Sequence, residues 1–458
     1  MLQPRARWVF PTTVEPDSHL LETGARLGLT PRMVELLARR GVASADALAA
    51  YVGEAGEGLH DPALLPDADV LLARLTRARD AGERVLVFGD FDADGITGLA
   101  ILTIALRAFG VDAIPYVPSR LDEGHGLSLA SVEVATREKA TVVITVDTGT
   151  TSVAEVAAAV ERGIDVIVTD HHRVPATLPA AVAIVNAHRP GSRYPDDRLS
   201  GAGIAFAVAR LLIGDARALE LADLAAIGTV ADVAPILGEN RAIVRLGLAL
   251  MRTNPRPGIA ALLDRANVAP AAVDVETIGF ALAPRLNAAG RMGDAIDAAH
   301  LLLARDAAEA EGFAATLETA NTGRRDLMKS ALAEARTAPD VLADAAITMI
   351  RGPWPVGIIG LVAGRLADEL GRPAIVGAEL GGIVRASCRG DGSIHLADAI
   401  ASCDDILIRH GGHAGAAGFE VRVEQWDAVR ERLLAIAGNE VPRDPRPTLT
   451  LDLALPAA

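Results

Sequence analysis

Four short apolar runs stand out in the first half of the chain, at residues 85–88, 113–117, 142–146 and 166–169. Continuous apolar runs of this length are typical of strands that are buried on both faces of a sheet. The segments between them have the composition and spacing of helices, predicted at 96–109, 131–139 and 153–162. This alternation of strands and helices predicts a parallel sheet that is covered by helices.

The remaining regions differ in character. Residues before about 70 have a mainly helical pattern, and so does the Ala-rich stretch 251–336. Beta-like runs return at 345–350, 373–377 and 382–387. We therefore predict an α/β protein in which a parallel-sheet domain is joined by a helical connector to a smaller α/β domain. The predicted boundaries are a helical lead at 1–69, the sheet domain at 70–245, the connector at 246–338, the smaller domain at 339–440 and a tail at 441–458.

Three aspartates follow the first predicted strand at every second position: Asp90, Asp92 and Asp94. In open parallel sheets, ligands bind outside the carboxyl ends of the strands. Three carboxylates this close repel one another unless a cation neutralises them. The natural cation is a hard divalent metal with oxygen ligands. On this stretch alone, a solvated turn rich in Asp and Gly is the alternative interpretation.

Two further strands end in potential metal ligands. The third strand runs into Asp147, and the fourth runs into Asp170, His171 and His172. Because parallel strands bring their carboxyl ends to one edge of the sheet, these side chains converge on one cleft, which argues against a solvated turn.

Asp232 ends an apolar helical run. Alone it would be interpreted as a loop residue after a helix, and it gains interest only from the other acids.

Composition limits the class of protein. The 458 residues correspond to about three domains, and half of them are hydrophobic, which is enough for sizeable cores. No apolar run approaches the roughly 18 residues of a membrane span, and the N-terminus lacks the apolar core of a signal peptide. The two cysteines, Cys388 and Cys403, match neither a disulfide framework nor a zinc motif. A cytoplasmic protein without a membrane partner is therefore the default expectation.

The net charge of −15 means that any binding of nucleic acid must use local basic patches. The run APRLNAAGR at 283–291 could place donors beside a cleft, or it could be an ordinary solvated helix end. The run RHGGHAGAAGF at 409–419 is rich in glycine, which lets backbone N–H groups approach an anion closely. His413 within this run could add a donor: a lone histidine is usually structural, but its place inside GGH among small residues favours a functional interpretation.

The motifs FDADG, VDTGT, TDHH and VADVAP resemble the four motifs of the DHH phosphoesterase superfamily. Two later segments, GIIGLVAGRL and GGHAGAAG, resemble its DHHA1 domain. The segments SGAGIAF and NAAGR narrow the resemblance to the RecJ-type single-strand exonucleases. The resemblance extends from about residue 30 to about residue 440 and preserves the order of the motifs.

This resemblance implies roles for the matched residues. The implied ligands of two Mn²⁺ or Mg²⁺ ions are Asp90, Asp92, Asp94, Asp147, His171 and Asp232. Asp147 would bridge the ions and act in catalysis together with His172, which would lie near the scissile phosphate. The implied substrate contacts are Arg120, Arg285, Asn287 and Arg291 along the cleft, and Ser387, Arg389, Gly411, Gly412 and His413 in the DHHA1 domain. Oxygen ligands with one imidazole also favour these ions over zinc, which prefers thiolates.

The activity implied by the resemblance is hydrolysis of single-stranded DNA from the 5′ end, with release of mononucleotides, in DNA repair and recombination. A single-strand-binding protein or a helicase would be a further partner. The alternative is a phosphoesterase for short oligonucleotides or small nucleotides, which the acidic charge favours. An inorganic pyrophosphatase of the same superfamily is disfavoured by the NAAGR segment. A non-catalytic replication scaffold would have lost the ligands, and all are present.

Several positions depart from the family pattern. Thr148 follows the second-motif aspartate where many members have Asn, His125 stands where an aromatic residue is usual, and Pro355 stands where a histidine is frequent. Typical bacterial members continue into an OB-fold that grips single strands. This chain ends where that fold would begin, at LTLDLAL, which resembles the start of a strand. We therefore expect weak binding of DNA with frequent dissociation.

Overall fold

The computed structural model describes residues 6–10, 14–120, 123–124, 126–342, 345–438 and 448–452. The chain forms two compact units. The larger unit comprises Glu15–Asn321, and the smaller unit comprises Thr322–Ala458 together with Met1–Val14. His125 and most of the predicted tail lie outside the described residues, and the domain boundaries given above stay predictions.

The described ranges contain twelve strands and seventeen α-helices of six or more residues. The strands are β1 Arg7–Val9, β2 Arg84–Gly89, β3 Asp112–Tyr116, β4 Val142–Val146, β5 Asp165–Thr169, β6 Ala183–Val185, β7 Thr348–Gly352, β8 Ala374–Leu380, β9 Ile383–Arg389, β10 Arg409–Gly412, β11 Ala416–Arg422 and β12 Thr448–Thr450. The helices are α1 Ser18–Arg26, α2 Pro31–Arg39, α3 Ala45–Val52, α4 Ala68–Ala81, α5 Ala93–Phe109, α6 Leu129–Arg137, α7 Val153–Glu161, α8 Gly201–Ile213, α9 Ala222–Ala231, α10 Gly238–Thr253, α11 Pro257–Ala266, α12 Ala283–Met292, α13 Ile296–Leu303, α14 Ala307–Arg336, α15 Val356–Leu370, α16 Leu396–Ala401 and α17 Trp426–Ala437.

Strands β2 to β6 form a parallel sheet in the order β3-β2-β4-β5-β6, which confirms the predicted α/β fold class. The four predicted strands agree with the structure to within one residue at each end. Their apolar runs are continuous because both faces are covered: Val85 and Val87 belong to one buried cluster, Leu86 and Phe88 to another. The three-residue strand β6 was not predicted, since AIV is too short to form a pattern.

Helix α5 connects the sheet to the helical layer beneath the predicted site. It is buried around nearly its whole circumference and packs against α8 and α9. A Cβ atom on Gly98 would lie 2.6 Å from Cγ1 of Val146, so glycine allows the helix to approach the sheet. This approach holds the start of α5 at the carboxyl edge of β2 and β4.

The N-terminal region is largely helical, as expected. Helices α1 to α3 each begin with a side-chain cap, from Asp17, Thr30 or Ser44. The region also contains β1, which was not predicted and which pairs in parallel with β12. Arg7 and Thr448, which bond across this pair, are 441 positions apart, so no local pattern could reveal the pairing.

The smaller unit contains a mixed sheet in the order β10-β11-β9-β8-β7. Strands β7 and β8 are parallel and the other pairs are antiparallel. The glycine-rich run at 409–419, interpreted above as a possible anion loop, forms β10, a turn and the start of β11. Cys388 and Cys403 are free and buried.

The predicted connector region is helical in the structure, from the end of α10 through α14. It also contains a 3₁₀ turn, Pro270–Ala272, and a π-helical turn, Ile278–Leu282, which leads directly into α12. Turns of the π-helical type are frequent at functional sites. None of the helices in the described part of the chain is both long and apolar enough to cross a membrane.

Candidate metal centre

The loop after β2 places three carboxylates around the start of α5. Asp92 is the N-cap of this helix, and its Oδ1 accepts hydrogen bonds from the backbone N–H groups of Asp94 at 3.0 Å and Gly95 at 3.1 Å. A Cβ atom on Gly95 would lie 2.5 Å from the carbonyl oxygen of Asp90. Glycine is therefore required for the tight turn that brings the carboxylates together.

The Asp94 carboxylate is buried at the N-terminus of α8. It accepts hydrogen bonds from the backbone N–H groups of Gly201 at 2.7 Å and Ala202 at 2.9 Å. The positive end of a helix dipole stabilises a negative charge at this place. The fold thus compensates part of the charge that it concentrates here.

Asp147 lies at the end of β4 in the left-handed region, with φ of +62°. A non-glycine residue in this conformation is uncommon, and such strain occurs preferentially at functional sites. A Cβ atom on Gly201 would lie 2.5 Å from Cβ of Asp147, so α8 packs directly on this side chain. Asp147 is 4% exposed, and its pKa is raised well above the ordinary value by burial and by the charges of nearby aspartates, Asp94 foremost.

Asp170, at the end of β5, organises the two histidines that follow it. Its carboxylate accepts the backbone N–H groups of His171 and His172 and, at 3.0 Å, that of Thr150. It also lies 2.7 Å from Nδ1 of His172. The pKa of Asp170 is about 2, because these hydrogen bonds and the charge of His172 outweigh the cost of burial. The bond to Asp170 raises the pKa of His172 to about 9, so this half-exposed imidazole is a cation at neutral pH.

The neighbouring imidazole of His171 behaves in the opposite way. Burial lowers its pKa, so it is neutral and can act as a nitrogen ligand. Its Nε2 lies 3.0 Å from Oδ1 of Asp147 and 3.9 Å from Oδ2 of Asp94, and its Nδ1 lies 3.9 Å from Oδ2 of Asp232. The sequence therefore places two adjacent histidines in different charge states.

The predicted metal residues form two adjoining groups. Asp90, Asp92 and Asp147 can bring one ligand atom each within 4.8 Å of one another, and Asp94, His171 and Asp232 can do the same. A third such combination joins Asp147 to both histidines. Asp147 and His171 are therefore central to the arrangement, as a bridging position would require.

The electrostatics of these groups fit a bound divalent cation. Burial and neighbouring carboxylates raise the pKa of Asp92 to about 6 and that of Asp232 to about 8. Oδ1 of Asp147 and Nε2 of His171 are buried 3.0 Å apart without the geometry of a hydrogen bond, so both lack a partner among the described residues. A cation between the carboxylates would neutralise their repulsion and satisfy these atoms.

Two of the predicted cleft residues contact the aspartate loop. Oδ1 of Asn287 accepts the backbone N–H of Ala93 at 2.8 Å, and the Arg120 guanidinium lies 4.7 Å from the centre of the Phe91 ring. The half-buried Arg291 is one turn beyond Asn287 on α12.

Arg285 has a different environment. Its guanidinium donates to Oε2 of Glu318 at 2.6 Å and to the carbonyl oxygens of Ala281 and Arg265. The side chain is only 10% exposed. These bonds hold α12 against α14. They leave Arg285 poorly placed to contact DNA, so the proposed substrate surface does not include it.

The predicted residues of the smaller unit lie on or beside its sheet. On β9, Nη1 of Arg389 donates to Oγ of Ser387 at 3.1 Å, beside Gly360 of α15, where a Cβ atom would lie 3.2 Å from Nη2 of Arg389. Arg389 is half-buried, and burial lowers the pKa of its guanidinium. No carboxylate within the described ranges forms an ion pair with it. The hairpin β10-β11 continues the sheet with Gly411, Gly412 and the exposed His413.

Sequence reasoning missed three features of the site. Asp170 was noted as a possible ligand, and its role as the acceptor that holds both histidines was not predicted. Asn186, whose Nδ2 donates to the carbonyl oxygen of His172 at 2.9 Å, follows the unpredicted strand β6. Phe280, in the π-helical turn, is 81% exposed, whereas the other phenylalanines of the larger unit are buried or half-buried. A lone exposed aromatic gives no signal in a sequence.

The parallel sheet and its edge of carboxylates and imidazoles define a class of α/β protein with a candidate site for divalent metal ions. Comparison with known families agrees: residues 84–229 match the DHH family N-terminal domain, and residues 343–439 match the DHHA1 domain. The chain is 35% identical over 444 residues to the single-stranded-DNA-specific exonuclease RecJ of Bacillus subtilis, covering 96% of this chain and 56% of that protein. It is 37% identical to the Salmonella typhimurium RecJ, covering 88% and 74% of the two chains.

Among solved structures, RecJ of Thermus thermophilus in complex with Mn²⁺ superimposes with a TM-score of 0.84 at 33% identity, covering 99% of this chain and 65% of that one. The chain belongs to the RecJ family of single-stranded-DNA-specific exonucleases, as the motifs indicated. It spans little more than half the length of the Bacillus subtilis relative.

Proposed function

We propose that this chain is a metal-dependent phosphodiesterase that hydrolyses single-stranded DNA. The observation that carries the proposal is the pair of ligand groups at the carboxyl edge of the parallel sheet, with two buried atoms that lack hydrogen-bond partners among the described residues. The carboxylates are gathered there at a cost in repulsion, which a bound cation would offset. The family membership supports the choice of DNA as substrate.

Two Mn²⁺ or Mg²⁺ ions are the proposed cofactors. Asp90, Asp92 and Asp147 would hold one ion, and Asp94, His171 and Asp232 the other, with Asp147 shared. When bound, such ions provide a deprotonated water and neutralise charge on phosphoryl oxygens. The neutral imidazole of His171 supports this assignment, because metal-binding histidines are deprotonated.

His172 is the proposed proton donor. The chain keeps it charged through Asp170 and leaves half of the side chain exposed beside the ligand groups. A cationic imidazole in this position can donate a hydrogen bond to a phosphoryl oxygen or a proton to the leaving oxygen.

One face of α12 and the turn before it is the proposed track for the strand. Asn287 and Arg291 are one turn apart and share a face of α12, and Phe280 lies in the π-helical turn that leads into this helix. Asn287 contacts the aspartate loop, and Phe280 lies two turns, roughly 10 Å, before it. An exposed aromatic ring at this distance can stack on an unpaired base, which favours a single strand over a duplex.

The smaller unit offers a second place for a phosphate. The half-buried Arg389 guanidinium lies beside Ser387, and Gly360 adds no side chain next to them. A half-buried guanidinium without an acidic partner is suited to a phosphate oxygen. Gly412 and His413, on the adjoining hairpin, stay predicted contacts.

Polarity, product and biological setting rest on the family alone. We propose 5′-to-3′ degradation to mononucleotides in DNA repair and recombination, in the cytoplasm, with a single-strand-binding protein or a helicase as the partner to test. The alternative, hydrolysis of short oligonucleotides, is favoured by one observation: the net charge of −15 limits the attraction of a long polyanion.

Digestion of DNA strands labelled at the 5′ or the 3′ end, from dinucleotides to long single strands and duplexes, tests these statements. We expect hydrolysis with Mn²⁺ or Mg²⁺, none with EDTA, and loss of the 5′ label first. The matched control is Asp147→Asn, which keeps the shape of the side chain. A folded, metal-loaded wild-type protein that leaves single strands intact would refute the proposal, and a preference for dinucleotides would establish the alternative.

A further inference from the structure

A cavity lies in the larger unit, and none of its lining residues belongs to the metal centre. It has a volume of about 280 Å³ and is bounded by α3, the 3₁₀ turn Ala55–Gly58 and α10. Small apolar side chains line part of the wall, among them Val42, Ala50 and Ala242. Its volume is near the lower limit for ligand pockets, so any occupant is small.

Two arginines on α10 give this cavity its charge. Arg241 and Arg245 are one helical turn apart, and both line the cavity. The Arg241 guanidinium lies 3.5 Å from the centre of the Tyr51 ring, and its Nε donates to the Tyr51 carbonyl oxygen. Nη1 of Arg245 donates to the carbonyl oxygen of Gly53 at 2.6 Å. Aromatic and carbonyl contacts thus fix both guanidinium groups in place.

Neither arginine of this pair forms an ion pair within the described residues. Glu57 also lines the cavity, with its Oε2 close to Gly53, but it does not reach ion-pair distance of either guanidinium. Arg198, a third cation of the lining, is already paired with Asp196. Like charges one turn apart on a helix repel each other, and burial together with Arg245 lowers the pKa of Arg241. A dianion would relieve this repulsion, whereas a single carboxylate would neutralise only one of the two groups.

We propose that this cavity binds a small phosphate monoester, with the phosphate between Arg241 and Arg245 and the organic group against Val42 and Ala242. Guanidinium groups bind phosphate oxygens with two parallel hydrogen bonds, and both arginines have donors left for this purpose. The proposal concerns binding in the absence of metal, so it does not depend on the proposed catalytic activity.

Asn240, which lies between the lining residues Gly238 and Arg241, connects the wall of the cavity to segments next to the metal centre. Nδ2 of Asn240 donates to the carbonyl oxygens of Arg198 at 2.7 Å and Pro235 at 3.1 Å. The Arg198 segment leads directly to Gly201, whose N–H holds Asp94, and the Pro235 segment directly follows Asp232. An occupant that orders these two segments should change the affinity for metal, and metal should change its affinity by the same factor.

Calorimetric titration of the metal-free protein with inorganic phosphate and with deoxyadenosine 5′-monophosphate tests the proposal. Hydrogen exchange locates the site, since protection should appear at 41–60 and 235–246. Saturable binding of the nucleotide with this protection is the expected result, and tighter binding than phosphate would identify a monoester rather than the free ion as the ligand. Protection elsewhere only, for example around Arg389, or no binding at all, would overturn the proposal.

Variants provide the second measurement. Arg241→Gln and Arg245→Gln should each weaken binding about tenfold or more, because each removes a charge-assisted hydrogen bond. The control is Arg217→Gln, an exposed arginine on the short helix Asp215–Ala218. Arg245→Lys keeps the charge and should retain part of the affinity. Unchanged affinity in both glutamine variants would overturn the assignment, and the exchange data on the wild-type protein decide the question if a variant does not fold.

Discussion

Glu239, in the first turn of α10, is a buried acid outside the metal centre whose ionisation should control stability. It is 1% exposed, accepts the Tyr194 hydroxyl at 2.8 Å and the backbone N–H of His60 at 3.1 Å, and lies 3.7 Å from Nη1 of Arg210. Burial raises its pKa from 4.5 to about 7, because the nearby donors and cation compensate only part of the desolvation cost.

The magnitude follows from proton linkage. Between pH 4.5 and 7 the native protein keeps the proton on Glu239 that the unfolded chain has released. The free energy of unfolding therefore falls as the pH rises through this window. A pKa difference of about 2.5 units, at about 1.36 kcal/mol per unit, gives a loss of about 3 kcal/mol at pH 8.

The change to make is Glu239→Gln, which mimics the protonated carboxyl and cannot ionise. Urea unfolding in EDTA should show similar free energies for variant and wild type at pH 5, and a variant more stable by about 3 kcal/mol at pH 8. Other titrating groups cancel in the difference between the proteins. The control is Glu220→Gln, because Glu220 is an exposed glutamate of the same unit. A difference that does not vary with pH would refute the reasoning.

Three further predictions concern the site itself. Asp147→Asn should reduce hydrolysis to below a few per cent and weaken Mn²⁺ binding, measured by turnover and calorimetry; near-normal turnover would exclude a shared ligand. His172→Ala should lower turnover while metal affinity survives, whereas His171→Ala should weaken metal affinity itself, and equal losses would contradict these separate roles. Phe280→Ala should weaken binding of single strands by about 1–3 kcal/mol, with Phe280→Trp as the conservative control. Equal affinities of the Phe280→Ala variant and the wild type would exclude stacking.

The part of the fold that the sequence predicts best is the sheet. Strands β2, β4 and β5 are buried on both faces, so each is a continuous apolar run in the sequence, whereas the edge strand β3 is only partly buried. The convergence of Asp90, Asp147 and His171 could be inferred for the same reason, since parallel strands end at one edge. These inferences need only local patterns and one rule of topology.

Long-range pairing limits the rest. Arg285 forms an ion pair with Glu318, which is 33 positions away in the sequence. This pair gives Arg285 a structural role, and the residues next to Arg285 in the sequence do not indicate it. The pairing of β1 with β12 and the β10-β11 hairpin likewise depend on partners that no local period marks. The exposure of Phe280 is a property of the folded surface and has no counterpart in the pattern.

The structure gives a physical reason for the segment SGAGIAF. In the sequence analysis this segment only narrowed the family resemblance to the RecJ-type exonucleases. In the structure its second residue, Gly201, donates its N–H to Asp94 and leaves room for Asp147, against which a Cβ atom would clash. One glycine therefore serves two carboxylates from different strands. Replacement by alanine would displace one of them, because α8 and β4 leave no space between them, and this explains why a helix outside the four acidic motifs is part of the metal centre.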